Sequence, residues 1–245
     1  PDHIWEPQTT KLLLILSKNV KNIIIGGAYG GDQALILAYA LRKKKSVIHC
    51  FEPNKKQSSL LKENFKINKL TNFYISNLGL WNEDSSSLKL TDKYDDSHFS
   101  PIKVKSRDKK TFKSITIDKY LEKRKIDKLD LLMLDIEGGE LNALRGAEKY
   151  LKMNKKNSPN IIFEIHSLYV NWSNGLRKTK VCDYLIKHGY FLYAIRDYQS
   201  NVNLKNYPIE LVPIDFAYLK GPKHGFNILA IKDQSILKMK QFKIR

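Results

Sequence analysis

The chain has 245 residues, 42% apolar and 28% charged, the balance of an ordinary globular protein with length enough for one large α/β core. No apolar run approaches membrane-spanning length, Leu12 to Leu16 being far too short, and no secretory signal is visible at the start. The net charge of +18 comes mostly from lysines spread along the chain. Arginine, which forks onto bases and phosphates, is scarce, so the charge reads as compositional drift ahead of a nucleic-acid surface.

Apolar runs alternate with amphipathic segments, the pattern of repeated βα units around a mainly parallel sheet. The first twenty residues suit a short helix lying on that sheet. Asn22 to Ile25 reads as the first strand and Gly31 to Leu41 as its helix. Between them, the glycines at 26, 27, 30 and 31 remove side chains where a backbone must turn sharply and approach a ligand. This is neither the dinucleotide glycine spacing nor a P-loop. Ser46 to Phe51 is the second strand, and a helix follows over Lys55 to Asn68. Glu52 ends that strand just over twenty residues beyond the glycine loop, where a carboxylate grips a ribose diol. Asn72 to Leu78 makes the third strand.

Residues 81–116 are polar and weakly patterned and read as a hairpin-bearing insertion. Ile117 to Arg124 is a short helix, Leu129 to Leu134 a buried strand and Glu140 to Leu151 a helix. Asp135 and Glu137 lie between the last two, at the sheet edge where open α/β folds place ligands. Asn160 to Ile165, Val181 to His188 and Tyr190 to Ile195 continue the rhythm. Residues 197–225, with Pro208, Pro213 and Pro222, read as a covering loop, and Phe226 to Ile231 as a final strand closing an edge. No second domain is marked, so residues 1–245 read as a single domain. Cys50 and Cys182 read as free thiols, which points to a reducing, cytoplasmic setting.

The series Gly-Gly-Ala-Tyr-Gly-Gly-Asp-Gln, Phe-Glu-Pro, Asn-Leu-Gly-Leu, Ile-Asp-Lys-Tyr-Leu, Leu-Asp-Ile-Glu-Gly-Gly-Glu-Leu and Phe-Glu-Ile-His resembles the FkbM family of S-adenosylmethionine-dependent methyltransferases, in order and over most of the chain. The resemblance implies a Rossmann-like class I methyltransferase fold: a mainly parallel seven-stranded sheet with its last strand antiparallel and helices on both faces. It also implies O-methylation of sugars or related small molecules. On the same basis Gly27, Ala28 and Gly31 would cradle the methionine portion of the cofactor, with Asp32 and Gln33 beside it. Asn77 and Gly79 would border the adenine, and Asp135 would sit near the sulfonium methyl. One position departs from the family's pattern, because Ile25 stands where such enzymes carry an acidic residue.

Methyl transfer to oxygen requires alignment of the reacting atoms and a group that takes the hydroxyl proton. Asp135, Glu137, Glu164 and His166 all fall at strand ends on one edge, with His166 the first choice as general base. In an alternative arrangement, Asp135 and Glu164 would share a divalent cation that acidifies two sugar hydroxyls. His224 and Arg196 are candidates for contact with the acceptor, although an ion pair suits Arg196 as well. Trp81, Trp172 and Tyr198 are candidates for stacking. The leading expectation is a small-molecule O-methyltransferase acting on a saccharide or glycan precursor. The alternatives are an RNA methyltransferase using the basic surface and a non-catalytic binding module with a cofactor fold.

Overall fold

The computed structural model describes residues 6–92, 99–105, 111–197, 207–219 and 225–245. After helix α1 (Pro7–Leu16), strands β1 (Asn22–Gly26), β2 (Val47–Phe51) and β3 (Phe73–Ser76) alternate with α2 (Asp32–Leu41) and α3 (Lys55–Ile67). Then come β4 (Gly79–Leu80), β5 (Ser87–Asp92), β6 (Phe99–Lys103), β7 (Thr111–Ile115), α4 (Ile117–Lys123) and β8 (Leu131–Leu134). Helices α5 (Glu140–Arg145) and α6 (Glu148–Leu151), β9 (Asn160–His166), α7 (Lys180–Lys187) and β10 (Phe191–Ile195) follow. The chain closes with β11 (Ile209–Pro213), β12 (Gly225–Ile231) and β13 (Phe242–Ile244).

The main sheet has the order β13-β11-β10-β12-β9-β8-β1-β2-β3. Strands β3, β2, β1, β8 and β9 run parallel, and β12 is antiparallel to both β9 and β10. The seven strands from β3 to β10 are thus the class I methyltransferase arrangement, extended here to nine strands by β11 and β13. Side chains alternate across the sheet. Ile23 and Ile25 face a cluster with Leu13, Leu37 and Phe65 of α1 to α3, whereas Ile24 and Leu132 face Leu121, Leu144 and Leu185 of α4, α5 and α7. No helix among the described residues is long and apolar enough to cross a membrane.

Three sequence expectations change. The strand at 225–231 does not close an edge but lies between β9 and β10, which explains its run of buried apolar residues. Residues 197–225 contribute β11, whose buried Ile209 and Leu211 sit between prolines that mask the strand pattern. The helix expected over 140–151 breaks at Gly146. A Cβ there would stand 2.1 Å from the carbonyl oxygen of Trp81, so the backbones meet at a point only glycine fills. Residues 238–245, a basic run in sequence, end in β13, paired in parallel with β11. Within 81–116, β5 to β7 form a second sheet with β4, in the order β4-β7-β5-β6.

Helix α1 is held by residues remote from it in sequence. The carboxylate of Asp197 accepts the backbone N–H groups of Gln8 (3.1 Å) and Thr9 (2.8 Å), and the Gln8 side chain accepts the N–H of Glu210 (2.7 Å). Asp197 therefore satisfies first-turn donors that a local capping residue would otherwise take. Replacing it with alanine is expected to lower unfolding stability by about 1 kcal/mol. Urea titration checks this, and an unchanged midpoint would mean that α1 is held by its apolar face alone.

Candidate functional site

The carboxyl ends of β1, β2 and β8, the residues after β3, and one face of the second sheet enclose a cavity of about 390 Å³, within the range of small-ligand sites. Its floor is set by a close approach of two strand ends. The N–H of Asp135 donates to the carbonyl of Gly26 (3.1 Å), and a Cβ on Gly27 would stand 1.7 Å from the carbonyl oxygen of Asp135. Gly27 also has φ +76, so a side chain is excluded there by conformation and by space alike. The N–H groups of Gly27 and Ala28 both donate to the carbonyl of Phe51. These two residues therefore give the cavity an open backbone surface, while their amides tie the loop to β2.

Glu52 is buried at the end of β2. One carboxylate oxygen accepts the N–H of Tyr29 (3.0 Å) and the other that of Asn54 (2.8 Å). Burial raises its pKa, and these two N–H groups pull against that rise. Each oxygen keeps a further lone pair for a ligand hydroxyl. Asp32, Gln33 and Ala34 bring the first turn of α2 to the cavity, and Thr10 Oγ1 of α1 donates to Gln33 Oε1 (3.1 Å). Leu78, Leu80, Leu88, Leu90, Pro101 and Phe112 make an apolar wall. Four of these come from residues 81–116, where weak patterning gave no sign that alternate side chains of a small sheet face a cavity.

The turn after β8 carries the remaining carboxylates. Glu137 lies at φ 53 and Gly138 at φ 93, and Glu140 Oε1 accepts the N–H groups of Ile136 (3.0 Å) and Gly138 (3.3 Å), which fixes the turn. Carboxylate oxygens of Asp135, Glu137 and Glu164 all lie within 4.8 Å of one another. The Tyr169 hydroxyl lies close enough to Glu137 to interact electrostatically. Burial raises the pKa of Asp135 and of Glu164, and the neighbouring carboxylates raise both further. Burial likewise takes Glu140 up to about 7. Glu6, ahead of α1, also lines the cavity and is pushed up to about 7, mainly by burial. Nothing in the sequence marks Glu6, because its place depends on contacts made nearly 200 residues away. The lining contains five carboxylates (Glu6, Asp32, Glu52, Asp135 and Glu137) and no lysine, arginine or histidine among the described residues.

Other expected site residues fall outside that wall. Gly31 forms the turn into α2 beneath Leu35 and Leu61, and Asn77 donates to the carbonyl of Glu52 (3.1 Å); both brace the site from behind. His166 is buried, and its Nδ1 accepts the N–H of Leu168 (3.0 Å). That bond leaves the proton of a neutral ring on Nε2. His166 therefore presents an Nε2–H donor to its surroundings. Arg196 pairs with Glu210 (2.9 Å) on the surface instead of reaching the cavity, because β11 brings that glutamate alongside. His224 and Tyr198 lie outside the described residues. Trp81 is buried, and Trp172 packs edge-on against Phe226 at 5.5 Å.

Residues 26–203 match the Methyltransferase FkbM domain family, and the chain belongs to that family of S-adenosylmethionine-dependent methyltransferases. None of the curated proteins matches the sequence. Among solved structures, the methyltransferase FkbM from Methylobacillus flagellatus KT superposes with TM-score 0.54 at 12% identity, over 86% of this chain and 43% of that one. The chain thus spans less than half the length of that relative. Precorrin-6y C5,15-methyltransferase from Geobacter metallireducens has TM-score 0.48 at 11% identity, over 92% of this chain and 89% of its own. A Streptococcus mutans protein solved with S-adenosylhomocysteine has TM-score 0.49 at 10% identity, over 91% and 95%.

The raised carboxyl groups have a consequence for stability. A carboxyl held above its ordinary 4.5 in the native state binds its proton more tightly there than in the unfolded chain. Its contribution is therefore complete at low pH and is lost as the pH rises through about 7. For Glu140 this amounts to about 3 kcal/mol as an upper bound. Thermal unfolding of Glu140→Gln should show a shallower decline than the parent between about pH 5 and 8. Parallel curves would mean that Glu140 is ionised throughout.

Proposed function

We propose that this FkbM-family chain transfers the methyl group of S-adenosylmethionine to a hydroxyl of an uncharged, polyhydroxylated small molecule, a saccharide or glycan precursor. The observation that carries the proposal is the cavity lining: carboxylates and an apolar wall, with no basic side chain among the described residues.

The residues present fit the cofactor. Its sulfonium and ammonium charges suit an acidic cavity, and Gly27 leaves the backbone bare where a side chain would fill the space. Glu52, oriented by Tyr29 and Asn54, would accept the two ribose hydroxyls. The apolar wall beside Gly79 would take the adenine. Bound there, the cofactor supplies an electrophilic methyl carbon.

The chain's own residues then have three tasks. The Asp135, Glu137 and Glu164 group offers several acceptors to adjacent hydroxyls, the arrangement a polyol needs. Asp135 or Glu164, once ionised, takes the hydroxyl proton. The second sheet covers the cavity with Leu88, Leu90 and Phe112 and keeps water from competing as acceptor. The same carboxylates repel phosphates, which favours a neutral acceptor over RNA.

Calorimetry with S-adenosylmethionine is expected to show micromolar binding that weakens by about ten- to a hundredfold in Glu52→Ala, the loss of charge-assisted hydrogen bonds. Unimpaired binding in that variant would remove the ribose assignment. Labelled methyl transfer should go to neutral saccharides ahead of sugar phosphates or RNA, and efficient labelling of RNA would overturn the acceptor reading. Because burial and like charges raise the pKa values of Asp135 and Glu164, the ionised base grows with pH, so kcat/KM should climb through the neutral range. Asp135→Asn should depress the rate across that range.

A further inference from the structure

Glu6 lies outside the segment matched by the family and occupies the capping position of α1, yet its side chain makes no capping bond. Asp197 does that work instead. Freed from the helix end and held at φ 45, ψ 64, a conformation that non-glycine residues rarely adopt, Glu6 turns its carboxylate into the cavity. Asn227 of β12, Asp32 and Asp197 all lie close enough to it to interact electrostatically. A buried carboxylate among carboxylates is unfavourable unless a cation joins it. Among the described residues the cavity supplies none, so a cationic group of a bound ligand suits this position.

A second contact from α1 points to the same ligand group. Thr10 donates to Gln33 Oε1, which leaves the amide NH₂ of Gln33 as its donor end in a side chain that lines the cavity. One turn of α1 therefore positions an anionic acceptor and a neutral donor in the same cavity, the complement of an amino-acid zwitterion. The neighbouring strand end offers no acid, since Ile25 is buried and apolar.

Resting on the cofactor reading above, we propose that Glu6 receives the α-ammonium of the cofactor's amino-acid tail, with Gln33 facing the α-carboxylate. Helix α1 is then part of the binding site, and Asp197 holds it in register from 189 residues away.

Calorimetry on the whole chain tests this with two probes: S-adenosylhomocysteine and its analogue lacking the α-amino group. The parent chain should prefer the former by about tenfold or more, the range of hydrogen bonds to charged groups. In Glu6→Gln that preference should collapse toward equality while the analogue binds as before. Glu6→Asp, which keeps the charge, should retain part of it. The Gln variant is isosteric and removes a buried charge, so it should melt no lower than the parent; the analogue's affinity checks that the cavity is intact. A preference unchanged in Glu6→Gln, or an equal loss for both probes, overturns the assignment alone. Failure of the parent chain to bind either probe overturns the cofactor reading, and this assignment with it.

Discussion

The site depends on the convergence of β1 and β8 at their carboxyl ends. There the backbone of Gly27 runs so near the carbonyl of Asp135 that no Cβ fits between them. This single approach closes the cavity floor and sends the glycine loop toward Phe51, whose carbonyl takes two of its amides. It also starts the turn on which Glu137 stands. Parallel strands make such a convergence available, because every strand of that half of the sheet ends on the same edge. The chain needs glycine at one position to use it.

Charge gives the cavity its second character. The chain as a whole carries +18, yet five carboxylates and no basic group line the cavity among the described residues. Desolvation and like charges raise Asp135 well above the ordinary carboxylate range, and burial takes Glu6 up to about 7. Such a lining favours cations and hydrogen-bond donors over anions. The basic surface and the acidic interior therefore need not speak to the same partner, which is why net charge alone is a poor guide to what enters the site.

Much of this was legible in local patterns. The loop from Gly26 to Gly31, Glu52 after a buried strand, and Asp135 after another each pair a burial pattern with one exception to it, and such signals are read within ten residues. What escaped was set by distance. The break at Gly146 comes from the Trp81 carbonyl, and the proton on His166 is directed by Leu168. Strand β12 takes its place between two earlier strands, and prolines at either end concealed β11. Glu6 is the extreme case, since its usefulness is decided by Asp197 and Asn227.

The clamp between Asp197 and α1 also bears on how the molecule assembles. Glu6 is made long before Asp197, which holds the first turn of α1, and Asn227, which lies beside Glu6. Strand β12 must then slip between β9 and β10 for the sheet to be complete. Pairings this remote in sequence slow folding. The wall that Glu6 adds to the cavity is therefore in place only once segments 189 residues apart, at Gln8 and Asp197, have met.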